Sequence, residues 1–294
     1  LRKEIFALYN KGVSRKDLAK LVGVSTSTIE RCYHALYKSE NKEFNSRLVP
    51  RVLGIDEHSF SKKQGFATTC CNLARDNIFD VVKGKSAKDL EDYLSKLEGR
   101  EMVRVVCIDT RYRYHAIIRK WFPNAKIVAD RFHVIRLVNY YFVKQAQMID
   151  PETKHKRSYV KLLMMHKKNM TEEQSRRFKQ YLEGHPAIRS IYEFKEKLIN
   201  CLREKRKSKP SVKYDLIPVF LEAIKELKNS SFTLLQTLGK TLSEWKDERG
   251  RMWRFSRNNG ITEGFHRKMK LIQRRTYGFK NFENYRLRVK VLCS

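Results

Sequence analysis

The sequence predicts an α/β protein: a sheet-bearing core interrupted by an all-helical insertion and preceded by a small helical domain. Three observations carry that expectation. Residues 1–37 show the periodicity of short helices. From residue 51 the period shortens to that of strands, with apolar runs broken by turn residues. From about 134 to 250 helical periodicity returns, with basic faces and no strand-like run.

In the first segment, Gly12 ends a helix over "LRKEIFALYN". Ser14, with Asp17 three residues on, caps a second helix, whose apolar face is Leu18, Ala19, Leu21 and Val22. Gly23 sits in the turn, and Ser25 caps a third helix at about 26–36. This is helix-turn-helix spacing, with Ser25, Thr26, Ser27, Thr28 and Arg31 as the base-facing candidates. A plain helical hairpin would show the same apolar pattern. The expected domain is 1–40, followed by a polar linker at 41–50 that ends in Pro50.

The next expected segment, 51–135, opens with three strands, "RVLGIDEHSF", "GFATTCCNLARD" and "NIFDVVKG", broken at Gly65, Asp76-Asn77 and Gly84. "SAKDLEDYLSKLEG" is an amphipathic helix capped by Ser86. "MVRVVCIDT" is rich in β-branched residues, so a buried parallel strand is expected. A helix over "RYRYHAIIRKWF" ends before Pro123, and "AKIVADRFHV" reads as a fifth strand. The order matches an RNase H-like core, in which an antiparallel three-strand unit is followed by parallel crossovers. Such a sheet sets the first and fourth strands side by side, so Asp56 and Asp109 would share a cleft. The insertion is placed at 136–250. The core resumes at 251–294, where "NNG" precedes a basic helix capped by Thr262, carrying Glu263 in its first turn and ending at Tyr277-Gly278.

The 294 residues hold 63 Lys and Arg against 32 Asp and Glu, a formal charge of +31. Self-repulsion on that scale calls for a polyanionic partner, and double-stranded DNA is the expected one. No apolar run approaches a membrane span, and no signal peptide is visible. The six cysteines include no CxxC pair, which speaks against a zinc site and for a reducing, intracellular setting.

Three carboxylates in so cationic a chain point to phosphodiester chemistry. Two Mg²⁺ (or Mn²⁺) ions per site, about 3.5–4 Å apart, would be held by Asp56, Asp109 and Glu263, with Asp56 bridging. Glu57 competes with Asp56 but faces the other side of its strand. Asp130 competes with Asp109. With His133 it forms either a structural clasp or an auxiliary pair beside the site. His58 shares the face of Asp56, whereas His115 and His266 read as ordinary polar contacts. Arg267, Lys268, Lys270, Arg274 and Arg275 line the basic helix as DNA contacts, and Trp253 is the aromatic candidate.

"GIDEHSF", "PNAKIVADRFHVIRLVN" and "NNGITEGFHRKMKLIQRRTYGFKNFENYRLRV" together resemble the ISL-three family of bacterial insertion-sequence transposases, of the DDE class. The resemblance runs from about residue 14 to the end. It implies an RNase H-like catalytic domain with a helical insertion between the second Asp and the Glu. It also implies Mg²⁺-dependent cleavage and strand transfer, recognition of terminal inverted repeats, and Asp56, Asp109 and Glu263 as the triad. The "DRFH" segment is similar to a signature of Mutator-like transposases, which implies Asp130 and His133 beside the triad. His266 stands where relatives often carry Asn. The Cys-rich zinc ribbon usual before the helix-turn-helix is not in this sequence, so an upstream segment is expected. A homodimer or higher oligomer acting on two element ends, in a bacterial cytoplasm and on the nucleoid, completes the expectation. The alternative is a non-catalytic DNA-binding repressor or a domesticated relative.

Overall fold

The computed structural model describes residues 2–45, 48–61, 65–109, 114–204, 213–254, 260–276, 278–279 and 281–293. In chain order the elements begin with α1 (Arg2–Asn10), α2 (Arg15–Val22) and α3 (Thr26–Asn45). Then come β1 (Val52–Ser61), β2 (Gly65–Asn72), β3 (Asn77–Lys83), α4 (Ala87–Leu94), β4 (Val105–Ile108), α5 (His115–Trp121) and β5 (Lys126–Ala129). A helical run follows: α6 (Arg131–Ile149), α7 (Arg157–Met164), α8 (Glu172–Glu183), α9 (Pro186–Arg203), α10 (Lys213–Lys228), α11 (Thr233–Glu244) and α12 (Lys246–Arg254). The chain closes with α13 (Gly260–Arg275) and α14 (Phe282–Leu292). It divides into two compact units, Leu1–Ile127 with Arg257–Ser294, and Val128–Ser256.

In the first unit, Ser14 Oγ accepts the Asp17 N–H at 3.2 Å and starts α2, while Gly23, at φ 68°, closes it. Ser25 Oγ accepts the Thr28 N–H at 3.1 Å and starts α3. Ile5, Leu18, Ala19 and Ile29 form the small core of the three helices. α3 runs on to Asn45, through half of the segment expected to be a linker. "KSENKEF" is polar but holds no Gly or Pro, and polarity alone does not end a helix. Residues 46 and 47 lie outside the described part.

The sheet order is β3-β2-β1-β4-β5. β1 and β3 each pair antiparallel with β2, and β4 runs parallel to β1, with all four of its residues buried. α13 and α14 supply Met269, Ile272, Phe282, Tyr285 and Val289 to a core shared with Phe60, Cys71 and Cys107 of the sheet. Asp80 of β3, buried, takes a two-pronged bond from Arg286 of α14, 2.7 Å on each side.

α14 also joins the N-terminal helices to this unit. The Arg288 guanidinium, buried to 3% exposure, lies 4.2 Å from the Tyr9 ring centre, with Tyr33 and Phe279 farther round it at 5.6 and 5.9 Å. Such desolvated cation–π contacts favour the buried charge, and the guanidinium also reaches the Tyr9 carbonyl at 3.5 Å. Arg275 of α13 adds a bond to the Asn10 carbonyl at 3.2 Å.

Two expected element ends shift. The fifth strand stops at Ala129, because Asp130 accepts the Phe132 N–H at 3.2 Å and caps α6. The alternating apolar residues after it belong to a helix. α13 begins at Gly260, so Thr262 is its third residue, fully buried, rather than its cap. Its end is closed by the Gly278 N–H, which reaches the Gln273 carbonyl at 2.8 Å with φ 93°. Residues 258, 259 and 277 lie outside the described part.

Beyond the last two residues of β5, the second unit holds no strand among its described residues. Trp253 is a core residue here, 5% exposed, with its indole N–H on the Cys201 carbonyl at 3.2 Å and its ring edge-on to Phe220. A ring so enclosed offers no face to a base, which removes it from the DNA-contact candidates. The expected polar break at 203–213 falls mostly on residues 205–212, outside the described part.

Gly239 lets α11 meet the end of α10. A Cβ there would stand 2.6 Å from the Lys228 nitrogen and 2.9 Å from the Leu227 carbonyl carbon. Both are backbone atoms, so Gly239→Ala is expected to force the α10–α11 hairpin apart and cost about 1–3 kcal/mol in a urea titration. A cost below about 0.5 kcal/mol would contradict the contact.

Lys195 of α9 is 1% exposed, with Nζ 2.7 Å from the Leu163 carbonyl and 3.1 Å from Glu196 Oε1. Burial pushes its pKa down to about 8, only partly offset by Glu196. Between pH 8 and the ordinary lysine value of 10.5, the unfolded chain holds a proton that the folded one has released. Stability contributed by this group therefore rises with pH across that window. Lys195→Met is expected to flatten the rise, as read from the difference between the two proteins' Tm against pH.

Candidate active site

β1 carries Asp56 midway along its length, with Leu53 and Ile55 buried before it. Ile55 pairs with Ile108 in the parallel ladder, so Asp56 and Asp109 are the next residues on two adjacent strands. Backbones in such a pair run about 4.8 Å apart, and paired positions share a face of the pleat. Asp109 directly follows the last residue of β4, where a chain leaving a parallel strand meets solvent.

The pleat sends Asp56, His58 and Phe60 toward α13 and α14. Glu57 goes to the other face, where its Oε1 lies 2.6 Å from the Tyr114 hydroxyl. Asp56 Oδ1 accepts the Glu57 N–H at 2.8 Å. Its Oδ2 lies 3.8 Å from Nδ1 of His266, both side chains being nearly enclosed at 14% and 13% exposure.

His266 sits three residues after Glu263 on α13, and therefore on nearly the same helix face. That spacing brings the Glu263 turn to the Asp56 strand. Glu263 is partly exposed and pairs with Arg267 at 2.9 Å. Behind His266 a run of polar atoms enters the core. His266 Nε2 is 3.2 Å from Thr69 Oγ1, which is 2.9 Å from His58 Nδ1, and His58 Nε2 is 2.8 Å from the Tyr285 hydroxyl.

Burial, then the positive charges nearby, keeps both imidazoles neutral. The His58 pKa falls to about 3, by burial first and then by His266 and Lys270. That of His266 falls to about 4, by burial and Lys270, against a smaller upward pull from Glu263. Burial pushes the Cys71 thiol up to about 12, with Asp56 adding to the rise, so Cys71 is an inert thiol beside the site.

The remaining sequence-derived candidates fall into three groups. Ser25, Thr26, Ser27 and Arg31 are exposed at the start of α3; the Ser25 and Thr28 hydroxyls serve the cap, and Arg31 leans on Thr28 Oγ1 at 3.2 Å. On α13, Lys270 and Arg274 are exposed, Arg267 pairs with Glu263, Lys268 reaches the Leu292 carbonyl, and Arg275 binds α1. Asp130 and His133 belong to the second unit, where Asp130 is the buried cap of α6.

His266 is the residue that sequence reasoning underrated. The signal was its spacing from Glu263, but only the packing of α13 on β1 shows that this spacing ends at Asp56.

The donor set suits a hard divalent cation, since three carboxylates offer oxygen ligands and leave room for water. Among the described residues no three His, Cys, Asp or Glu side chains are already gathered closely enough to hold an ion. Glu263 is turned to Arg267 in an exposed ion pair at 2.9 Å.

Asp56 and Asp109 thus follow paired positions of two neighbouring parallel strands, and Glu263 lies on the helix whose His266 reaches Asp56. Residues 53–289 match the sequence profile of the ISL3 family of DDE transposases, and the chain belongs to that family. It is similar to the transposase for insertion sequence element IS1001 of Bordetella parapertussis, 21% identical over 248 residues. The match covers 81% of this chain and 60% of that protein, so the chain spans less than two thirds of that relative's length. Among the described residues no helix is long and apolar enough to cross a membrane.

Proposed function

We propose that this chain is the catalytic part of a DDE transposase that cuts the ends of an insertion sequence and joins them to target DNA. The observation that carries the proposal is the ladder pairing of Ile55 with Ile108, which sets Asp56 and Asp109 side by side beneath the helix bearing Glu263. The strand order β3-β2-β1-β4-β5 supports an RNase H-like core. Helices α1–α3, with an exposed start of α3, support a helix-turn-helix that contacts the terminal inverted repeats.

Asp56, Asp109 and Glu263 would hold two Mg²⁺ or Mn²⁺ ions, with Asp56 in the shared position. When bound, such ions supply charge neutralisation at the attacking and leaving oxygens. Lys270 and Arg274 face solvent about two and three turns beyond Glu263 and would hold phosphates near it. The attacking groups are water and then a DNA 3′-hydroxyl, so no side-chain nucleophile is needed, consistent with buried Cys71 being inert. Two ends must be brought together, which favours a dimer or higher oligomer.

The testing experiment uses labelled duplexes carrying the element's own ends, from the DNA flanking the gene. The protein, with any upstream segment restored, is incubated with Mg²⁺ or Mn²⁺ and target DNA. Nicking at the ends and joined products are expected. Binding without cutting would replace the proposal with a repressor. The +31 charge also predicts a steep loss of DNA affinity with salt, at least about 10³-fold between 50 and 200 mM if six or more phosphates are neutralised. A flat binding curve would sink the nucleic-acid role.

A further inference from the structure

We infer that His266 is a positioning residue for Asp56, held by a directed hydrogen-bond chain from Tyr285 through His58 and Thr69. The inference rests on the proposal that Asp56 is a metal ligand, and it adds how that ligand is aimed.

The chain has four links: Tyr285 hydroxyl to His58 Nε2 at 2.8 Å, His58 Nδ1 to Thr69 Oγ1 at 2.9 Å, Thr69 Oγ1 to His266 Nε2 at 3.2 Å, and His266 Nδ1 to Asp56 Oδ2 at 3.8 Å. A hydroxyl has one proton, and a neutral imidazole has one donor and one acceptor nitrogen. Thr69 Oγ1 can also accept from both imidazoles, so the charge at the far end of the chain decides which direction is favoured. If Tyr285 donates to His58, then His58 Nδ1–H donates to Thr69, Thr69 donates to His266 Nε2, and His266 carries its proton on Nδ1. That proton faces the Asp56 carboxylate. In the opposite direction the Nδ1 lone pair would face a carboxylate across a nearly enclosed gap, which is repulsive. The phenol of Tyr285, kept protonated by burial, is the donor that the first direction needs.

At 3.8 Å the last link is a charge–dipole contact, and the carboxylate needs to move by only about 0.8 Å to bring it to hydrogen-bond length. Asp56 is then held from both sides: Oδ1 by the Glu57 N–H at 2.8 Å and Oδ2 by the imidazole. Two such contacts fix the carboxylate plane. Hydrogen bonds to a ligating carboxylate orient it and strengthen metal binding.

Thr69 and His58 are buried and lie behind His266, so the chain can be broken without touching a carboxylate. The first measurement is the tautomer of His266 in metal-free wild-type protein, by two-bond proton–nitrogen correlation on ¹⁵N-histidine. Nδ1–H is expected, and a proton on Nε2 overturns the inference. The second is Mn²⁺ affinity by water-proton relaxation. Thr69→Val and His266→Leu are each expected to weaken it about tenfold, while His266→Asn, which keeps a donor, restores it to within about threefold of wild type. Thr69→Val is also expected to mix the tautomers of His266. Variants that lower Tm but leave Mn²⁺ affinity and tautomer as in wild type would show a structural role only and overturn the inference. If wild type binds no Mn²⁺, the metal proposal fails, and the tautomer alone then decides the positioning of Asp56.

Discussion

Asp56→Asn is expected to lower strand cleavage by about a thousandfold or more while leaving the fold and DNA affinity in place. The substitution keeps shape, and its amide oxygen can still accept the Glu57 N–H now bonded at 2.8 Å. What it removes is the negative charge at the one position adjacent to both Asp109 across the ladder and the Glu263 helix through His266. A ligand shared by two cations supports both the attacking and the leaving oxygen, and a thousandfold is about 4 kcal/mol of transition-state stabilisation. Because the substitution keeps the shape of Asp56 and its bond to the Glu57 N–H, the Tm of the metal-free protein is expected to stay near that of wild type. Three readouts check this together: nicking of labelled ends, the Tm without metal, and the rise in Tm on adding Mn²⁺. Wild type should gain about 2.7 kcal/mol at a metal concentration a hundred times Kd, and the variant should gain much less. Cleavage within tenfold of wild type would remove Asp56 from the ligand set.

Asp80→Ala is expected to cost about 3–5 kcal/mol of stability, the largest loss from one substitution in the first unit. Asp80, on the sheet at 8% side-chain exposure, is the anion to which α14 is fastened. It receives Arg286 through two bonds of 2.7 Å, the Tyr93 hydroxyl at 3.1 Å, and Lys290 at 3.8 Å. Truncation removes the two-pronged acceptor of Arg286, which keeps only its 3.2 Å contact with Glu283, and the carboxylate beside Lys290. Lys290 is already held below the ordinary lysine range by burial, with Arg286 adding to it. Asp80→Asn should lose less, since an amide oxygen still accepts from the Val81 N–H, now at 2.8 Å to Oδ1. Urea unfolding measures both. A loss below about 1 kcal/mol would mean that α14 is held by its apolar face alone. The consequence reaches the site, because α14 carries Tyr285, where the chain behind His266 begins.

Local sequence was enough for the strands and for most helices. The apolar runs ending at Asp56 and Asp109, the Ser14 and Ser86 caps, and the glycines at 23, 84 and 278 act within a few residues of themselves, so their physics can be read without the fold. The strand order also followed from connection rules, which made the pairing of β1 with β4 an expectation before it was observed. Element ends were less legible. Asp130 was read into a strand because it follows the apolar run 127–129, and only its bond to the Phe132 N–H shows a helix cap. α3 overran the expected linker because nothing in it breaks a helix.

Sequence by itself pointed to the candidates on which the proposed function rests: three acidic groups, a basic helix and a strongly cationic chain. Only the tertiary structure decided what surrounds them. Trp253 became core because Cys201 and Phe220, 52 and 33 positions away, close over it. His266 became the neighbour of Asp56, 210 positions away, because α13 lies on the sheet. Arg288 became buried because Tyr9, Tyr33 and Tyr37 of the N-terminal helices, with nearby Phe279, converge on it. Periodicity and capping are short-range effects that leave their mark in adjacent residues. Contacts between side chains hundreds of positions apart leave none, and they exist only once the helices have packed.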